Sequence, residues 1–257
     1  DLRKSVVIGT IRMGYGHYRM AIAAASAARA MGIEPYLLDF YSVNIEAATE
    51  IIGRLNRLYG LGTKLSQQFR PFNTLFWEPF TSDLARDLGH TTRDRFATGI
   101  FVNICNPLPK NVPFISTHPW TAHTAVNSNM ERVITMVPDN FPLGFHLCEG
   151  SIHCVQTPSS FLGYRSLQDM APRRYPINPM PADDIVYSGH FVDHELVSNI
   201  EIDCENRIRR VRDRKPRRIL MSLGGTGAQQ KRFSKILTFL APAVREEKAV
   251  VFANVGE

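Results

Sequence analysis

Residues 5–31 read SVVIGTIRMGYGHYRMAIAAASAARAM, a strand, a glycine turn and a helix in immediate succession. Ser5 to Thr10 is a short β-branched run, which predicts a strand. Tyr18 to Met31 is so rich in Ala that it predicts a helix packed closely against a sheet. Glu34 to Phe40 resumes as a strand, and further apolar runs follow at Gly99 to Ile104, Val112 to Ser116, Arg132 to Val137, Ile152 to Gln156 and Ile185 to Ser188. Strands alternating with helical crossovers specify a parallel sheet. The expectation is therefore an α/β fold with a Rossmann-type N-terminal domain over 1–190.

A second unit repeats this logic. His194 to Arg212 predicts a helix within a basic linker over 191–216, and Arg217 to Leu223 (RRILMSL) predicts a strand that stops at Gly224-Gly225. A helix from about Ala228 to Leu240 and a strand from Ala249 to Ala253 follow. From Arg217 to Glu257 there are 41 residues, where a domain usually needs about 100. The span 217–257 is thus read as the start of an incomplete second Rossmann-like domain, and the chain as a fragment or that domain as a remnant.

Between Glu46 and Arg86 the pattern is helical, with Ile51, Ile52, Leu55, Leu58, Tyr59 and Leu61 at helical spacing, then Phe69, Phe72, Phe76, Trp77 and Phe80. These serve either as core packing or as an amphipathic face toward an acceptor or a membrane.

Thirty Lys and Arg against 24 Asp and Glu give a net charge of +6, which favours phosphates, anionic lipid heads or nucleic acid without choosing among them. Eight basic residues crowd into Arg207 to Arg218 with Asp213 between them. A solvated helix end and linker explains this run, and no recognition helix or aromatic interleaving accompanies it, so nucleic acid is not an expected partner. Cys105, Cys148, Cys154 and Cys204 are widely spaced with no C-x-x-C, pointing to a reducing cytoplasm and to neither a disulfide framework nor a zinc knuckle. No apolar run approaches the roughly 18 residues of a membrane span, and no signal peptide is evident. A chain beginning at Asp1 reads as trimmed, and as soluble or peripheral at the inner face of a membrane.

Chemistry-bearing residues gather where strands end. Met13-Gly14-Tyr15-Gly16-His17 lies between strand and helix, where glycines permit a tight turn and free N–H groups favour an anion. Met20 and Ala21 stand where a dinucleotide fingerprint would place its third glycine, and His17 is added at the mouth. The helix dipole disfavours a charged imidazole there, which suits His17 to accept a proton from a hydroxyl or to position an acceptor. Ser116-Thr117-His118-Pro119-Trp120 follows another strand, and Thr135-Met136-Val137-Pro138-Asp139 ends a third with a carboxylate. Asp139 could orient an imidazole, bind an acceptor hydroxyl or cap the next segment. His146, Cys148, His153 and Cys154 suggest a metal, yet strand alternation should turn Cys154 away from His153, so no metal site is expected. Leu223-Gly224-Gly225-Thr226-Gly227-Ala228 offers a second set of turn amides, suited to a sugar-nucleotide diphosphate.

In this order the motifs resemble the glycosyltransferase family 28 group, which includes the bacterial lipid II synthase and the diacylglycerol glycosyltransferases. Gly14-Tyr15-Gly16-His17 with Ala21 is similar to that group's glycine-rich loop ending in histidine, and Ser116-Thr117-His118-Pro119 to its serine-x-histidine-proline segment. Pro138-Asp139 is similar to its threonine-aspartate strand end, the segment 154–159 (CVQTPS) to its strand leading into proline-serine, and Ser222 to Ala228 to its G-G-S-x-G-A turn. Tyr15 stands where a glycine is usual, and Tyr187 to Phe191 replaces the usual G-x-P-V.

The resemblance implies a GT-B fold of two Rossmann-like domains, acceptor on the first and donor on the second. It implies an inverting transferase that needs no metal or other cofactor and moves a sugar from a UDP-sugar to a hydroxyl of a lipid or cell-envelope glycan. His17, Asp139 and His118 would be catalytic, Gly14, Tyr15, Gly16 and Trp120 would bind acceptor, and Gly224, Gly225, Thr226, Gly227 and Ala228 would bind donor. A nucleotide sugar is then the partner, together with a lipid acceptor or an anionic membrane surface. The competing expectation is a non-catalytic GT-B-like protein that binds a glycan, lipid or partner.

Overall fold

The computed structural model describes residues 4–12, 15–43, 46–167, 170, 178–223 and 229–254. Six parallel strands form one sheet in the order β2-β1-β3-β4-β5-β6, comprising β1 (Ser5–Thr10), β2 (Glu34–Asp39), β3 (Phe114–Ser116), β4 (Val133–Met136), β5 (Ile152–Val155) and β6 (Ile185–Tyr187). The fold is α/β and Rossmann-like.

The alternation of β1 explains why helices cover both faces. Val6 and Ile8 pack on one face against Ala21, Ala25 and Ala28 of α1 (Gly16–Ala30), whose i, i+4, i+7 spacing makes one flat stripe. Val7 points to the other face and joins Phe40, Ile52, Phe101, Phe114, Ala122 and Ala125. That face is covered by the start of α2 (Glu46–Gln68) and by α7 (Pro119–Asn127). A third cluster, including Val137, Val155, Tyr164 and Ile185, lies under α8 (Pro158–Ser166).

One apolar run is not a strand. Residues 99–104 contribute to a 3-10 turn (Thr98–Phe101) and to α6 (Val102–Cys105). Phe101, Ile104 and Cys105 fall at i, i+3 and i+4 and are buried together, the spacing of a helix and not of a strand. They complete a helical layer that begins with α5 (Gly89–Ala97).

The region 46–86 is a projecting aromatic hairpin. After α2 come α3 (Arg70–Phe72), two π-helical turns (Asn73–Trp77 and Pro79–Asp83) and α4 (Leu84–Arg86). Trp77 is sandwiched among Tyr59, Phe72 and Phe80, with ring centroids 5.3, 6.4 and 6.0 Å away. Leu58, Leu61, Phe69, Leu75, Phe76 and Phe80 are nonetheless more than half-exposed. Core packing and an open apolar face are thus both present.

Past β6 the chain runs through α9 (His194–Ser198), whose segment latches onto α1, and then α10 (Ile200–Arg212). Arg19 pairs with Asp193, and the Ser26 hydroxyl donates to Glu195 Oε2 at 2.5 Å while accepting the His194 N–H at 2.8 Å. The helix over 194–212 is broken at Asn199, and no described residue of α10 is buried. A separate two-stranded parallel sheet, β7 (Arg217–Ser222) with β8 (Ala249–Asn254), is joined by α11 (Gln230–Arg245). Among the described residues, no helix is long and apolar enough to cross a membrane.

Candidate active site

The chain leaves β1 for β2 on one side and then crosses back to β3 on the other, so the carboxyl ends of β1 and β3 diverge into a crevice. In open parallel sheets this switch point is where ligands sit. His17 follows β1, and the Thr117-His118 pair follows β3.

These two loops meet through one hydrogen bond. His17 Nδ1 lies 2.5 Å from the Thr117 carbonyl oxygen. A carbonyl only accepts, so Nδ1 carries the proton and Nε2 keeps its lone pair. Thr117 is itself fixed, its N–H donating to the Gly9 carbonyl at 3.0 Å and its hydroxyl to Thr10 Oγ1 at 2.9 Å. Burial pushes the His17 pKa down to about 4; the Thr117 carbonyl opposes that, His146 adds to it and the Asp139 charge opposes it. His17 is a neutral imidazole at physiological pH.

His118 caps α7, its Nδ1 accepting the Trp120 N–H at 3.1 Å. Its own carbonyl accepts from the hydroxyls of Ser116 at 2.7 Å and Thr121 at 2.8 Å. Burial, then the neighbouring His17, His146 and His123, hold its pKa well below the ordinary value. Its ring meets that of His17 edge-on at 4.7 Å. The Trp120 indole N–H donates to Asp94 Oδ1 at 3.3 Å, and its ring stacks on Phe101 at 5.9 Å. His118 and Trp120 are thereby locked in place.

Asp139 lies three residues past β4 and is hydrogen-bonded to His146 Nε2 at 2.7 Å. That bond, with the charges of His146 and His17, holds its carboxyl below the usual range against the opposing effect of burial. Its direct partner is therefore His146, and its influence reaches His17 as charge. Gln156 braces the same strand end, donating to the Pro138 carbonyl at 2.6 Å and meeting His190 Nδ1 at 3.3 Å.

The turn before α1 is described only in part. Tyr15 is half-exposed, and Gly16 begins the helix with no described atom beyond its chain neighbours and its own helix within 4 Å of where a Cβ would stand. Gly14 lies outside the described residues, as do Gly224, Gly225, Thr226, Gly227 and Ala228. His153 sits inside β5 with Nδ1 donating to the Asp184 carbonyl at 3.1 Å and Nε2 accepting the Cys148 N–H at 3.0 Å. Both ring nitrogens are engaged by backbone, and strand alternation separates His153 from the partly buried Cys154.

A family model described as "Domain of unknown function (DUF6937)" matches residues 1–166. The chain belongs to this family. Within this DUF6937 chain, a second model, "Domain of unknown function (DUF6938)", matches residues 180–257. The second match begins before β6, so the two matches do not divide at the edge of the six-stranded sheet. No curated protein shows a match to the chain, and neither does any solved structure.

Sequence reading singled out His17, His118, Trp120 and Asp139, and the fold brings His17, His118 and Asp139 around one crevice with Trp120 packed behind. Thr117, which fixes the His17 tautomer, acts through a backbone carbonyl that leaves no mark in a motif. His146 reads from sequence only as a metal-ligand candidate. A histidine seven residues past a strand-end carboxylate was the available signal, and only the 3-10 turn (Gly144–His146) makes them meet.

Chemically, the crevice offers a fixed neutral imidazole with a lone pair at Nε2 and an ionised carboxylate within electrostatic range. A hydroxyl held between them could be deprotonated as it attacks an electrophile.

Proposed function

We propose that this protein is an inverting glycosyltransferase of the GT-B kind, with the six-stranded domain holding a hydroxyl acceptor and the β7-α11-β8 unit contributing to the binding of a UDP-sugar. The observation that carries the reading is the Nδ1–H bond from His17 to Thr117 at the switch point, which leaves Nε2 as a proton acceptor. In the reaction the acceptor O–H gives its proton to His17 Nε2 while its oxygen forms a bond to the anomeric carbon. The bond from that carbon to the diphosphate oxygen breaks, and its electron pair leaves with UDP. A pKa of about 4 makes His17 a weak base on its own. An incoming diphosphate adds negative charge and raises it, so the base strengthens when donor is present.

The acceptor is a lipid or a cell-envelope glycan, and the exposed apolar face of the hairpin supports the lipid. Leu58, Leu61, Phe69, Leu75, Phe76 and Phe80 line it, with Arg57, Lys64 and Arg70 on the same stretch to meet anionic head groups. The site is on this reading peripheral to the cytoplasmic face of a membrane.

The test is calorimetric titration of the full-length protein with UDP and a panel of UDP-sugars, followed by turnover of wild type and His17→Ala against lipid acceptors. We expect UDP binding in both and a loss of turnover in the variant of at least 100-fold, within the range general-base catalysis supplies. Absence of UDP binding removes the transferase reading. Unchanged turnover removes His17 as base.

A further inference from the structure

His146 is 3% exposed, yet it is spent on a half-exposed carboxylate. Its Nε2 lies 2.7 Å from Asp139 Oδ2, so Nε2 carries the proton. Among the described residues its buried Nδ1 has no hydrogen-bond partner. An orphaned buried nitrogen costs stability that an apolar ring would not, so packing alone does not account for a histidine here.

The turn that carries it is fixed from several sides. A Cβ on Gly144 would stand 2.7 Å from the Asp87 backbone oxygen, so the turn lies flush against the end of the aromatic hairpin and only glycine fits. The Leu143 N–H donates to the Tyr164 hydroxyl at 3.1 Å, and the Thr91 hydroxyl reaches the Gly144 carbonyl at 3.4 Å. From this turn a chain of rings crosses the crevice: His146 against Phe145 at 5.3 Å, Phe145 edge-on to His118 at 5.9 Å, and His118 edge-on to His17. The imidazole that grips Asp139 and the imidazole that bears the lone pair are thus referenced to one rigid set of rings.

We propose that His146 is a positioning residue whose Nε2–H holds the Asp139 carboxylate in fixed register with His17, where it receives the acceptor hydroxyl. The bond to Asp139 stands on the geometry, and the acceptor role rests on the transferase reading. The titratable groups around Asp139 are His146 from the turn, His17 from the head of α1 and Tyr164 from α8.

The test uses the full-length protein and two replacements. His146→Gln can present an N–H near the same place, and His146→Phe keeps the ring without a donor. Carbon-13 NMR of labelled Asp carboxyls reads Asp139 directly, with circular dichroism to confirm folding. In wild type and His146→Gln the Asp139 carboxyl should titrate below the ordinary range, and in His146→Phe it should move up toward the ordinary carboxylate range. Turnover of a UDP-sugar with dispersed diacylglycerol should fall at least tenfold in His146→Phe and recover in part in His146→Gln.

An unmoved Asp139 in folded His146→Phe overturns the proposal. If that variant does not fold, Asp139→Asn reads the pair from the other side: the His146 imidazole N–H proton should shift upfield, and an unchanged signal overturns the proposal. If wild type transfers no sugar, the transferase reading and the acceptor role fail together, and the carboxyl titration alone decides whether His146 positions Asp139.

Discussion

Lowering the pH from 7 to 5 should strip this protein of much of its stability, because its fold buries histidines that stay neutral. His123 and His153 are 1% and 2% exposed, and burial pushes each down to about 4 from an ordinary 6.5. The contacts of His153 say why. Its Nδ1–H donates to the Asp184 carbonyl and its Nε2 accepts the Cys148 N–H, so a second proton would have to expel the latter. In the unfolded chain both rings protonate near 6.5, and in the folded chain near 4. The depressed folded value means that their contribution is complete above about 6.5 and is lost as pH falls toward 4. At pH 5 the loss is about 2 kcal/mol for each, or roughly 4 kcal/mol for the pair. His118 acts in the same direction. Asp139, with its lowered carboxyl, keeps its contribution until the pH falls below the ordinary carboxylate range, so it does not enter this window. Against a typical stability of 5–15 kcal/mol, the drop is large. Urea titrations followed by circular dichroism at half-unit steps should give an unfolding free energy that rises with pH from 5 to 6.5 and then levels off. His153→Gln should be less stable at pH 7 and should lose about 1.4 kcal/mol per pH unit of that slope. A free energy flat between pH 5 and 7 would refute the reasoning.

Other substitutions separate packing from chemistry. Phe114→Ala removes a fully buried ring between β1 and α7 and should cost about 3–5 kcal/mol in chemical denaturation. Gly144→Ala should cost about 1–3 kcal/mol, read from the urea midpoint, since the added carbon meets the Asp87 backbone. Ser26→Ala loses two hydrogen bonds to the segment 194–195 at a cost of about 1–2 kcal/mol, and hydrogen exchange should quicken over 193–199. Phe69→Ser with Leu75→Ser should weaken sedimentation with anionic vesicles and leave the unfolding free energy within about 0.5 kcal/mol, as both side chains are exposed. Vesicle binding unchanged in that double variant would count against the membrane face.

The six-stranded sheet was legible because its strands are short apolar runs bounded by turns, and because the Ala stripe of α1 reports a flat surface beneath it. The segment 99–104 misled for a physical reason. A short, wholly apolar run has no visible period, and only its partners reveal that Phe101 and Ile104 lie one helical turn apart. His17 and His118 were legible as site candidates because ligand-contacting groups in open parallel sheets collect where strands end. The pairing of Asp139 with His146 was not, since it depends on a 3-10 turn held by the tight approach of Gly144 to a hairpin nearly sixty residues earlier. Nor could spacing show that the hairpin half-buries Trp77 while leaving Phe76 beside it open. Adjacent residues on a π-helical turn face different surroundings.

The latch between α1 and the segment 193–195 has a mechanical meaning. Helix α1 is stitched to β3 at its head, where His17 meets Thr117, and to the following segment along its outer side, where Ser26 grips residues 194 and 195. Nine residues of helix, about 14 Å of stiff rod, separate the two attachments. A pull on the tether beyond β6 arrives at the imidazole as a shift of the whole rod, with little absorbed on the way. The helix that carries His17 is also the one that the segment leading to the β7-α11-β8 half holds through Ser26.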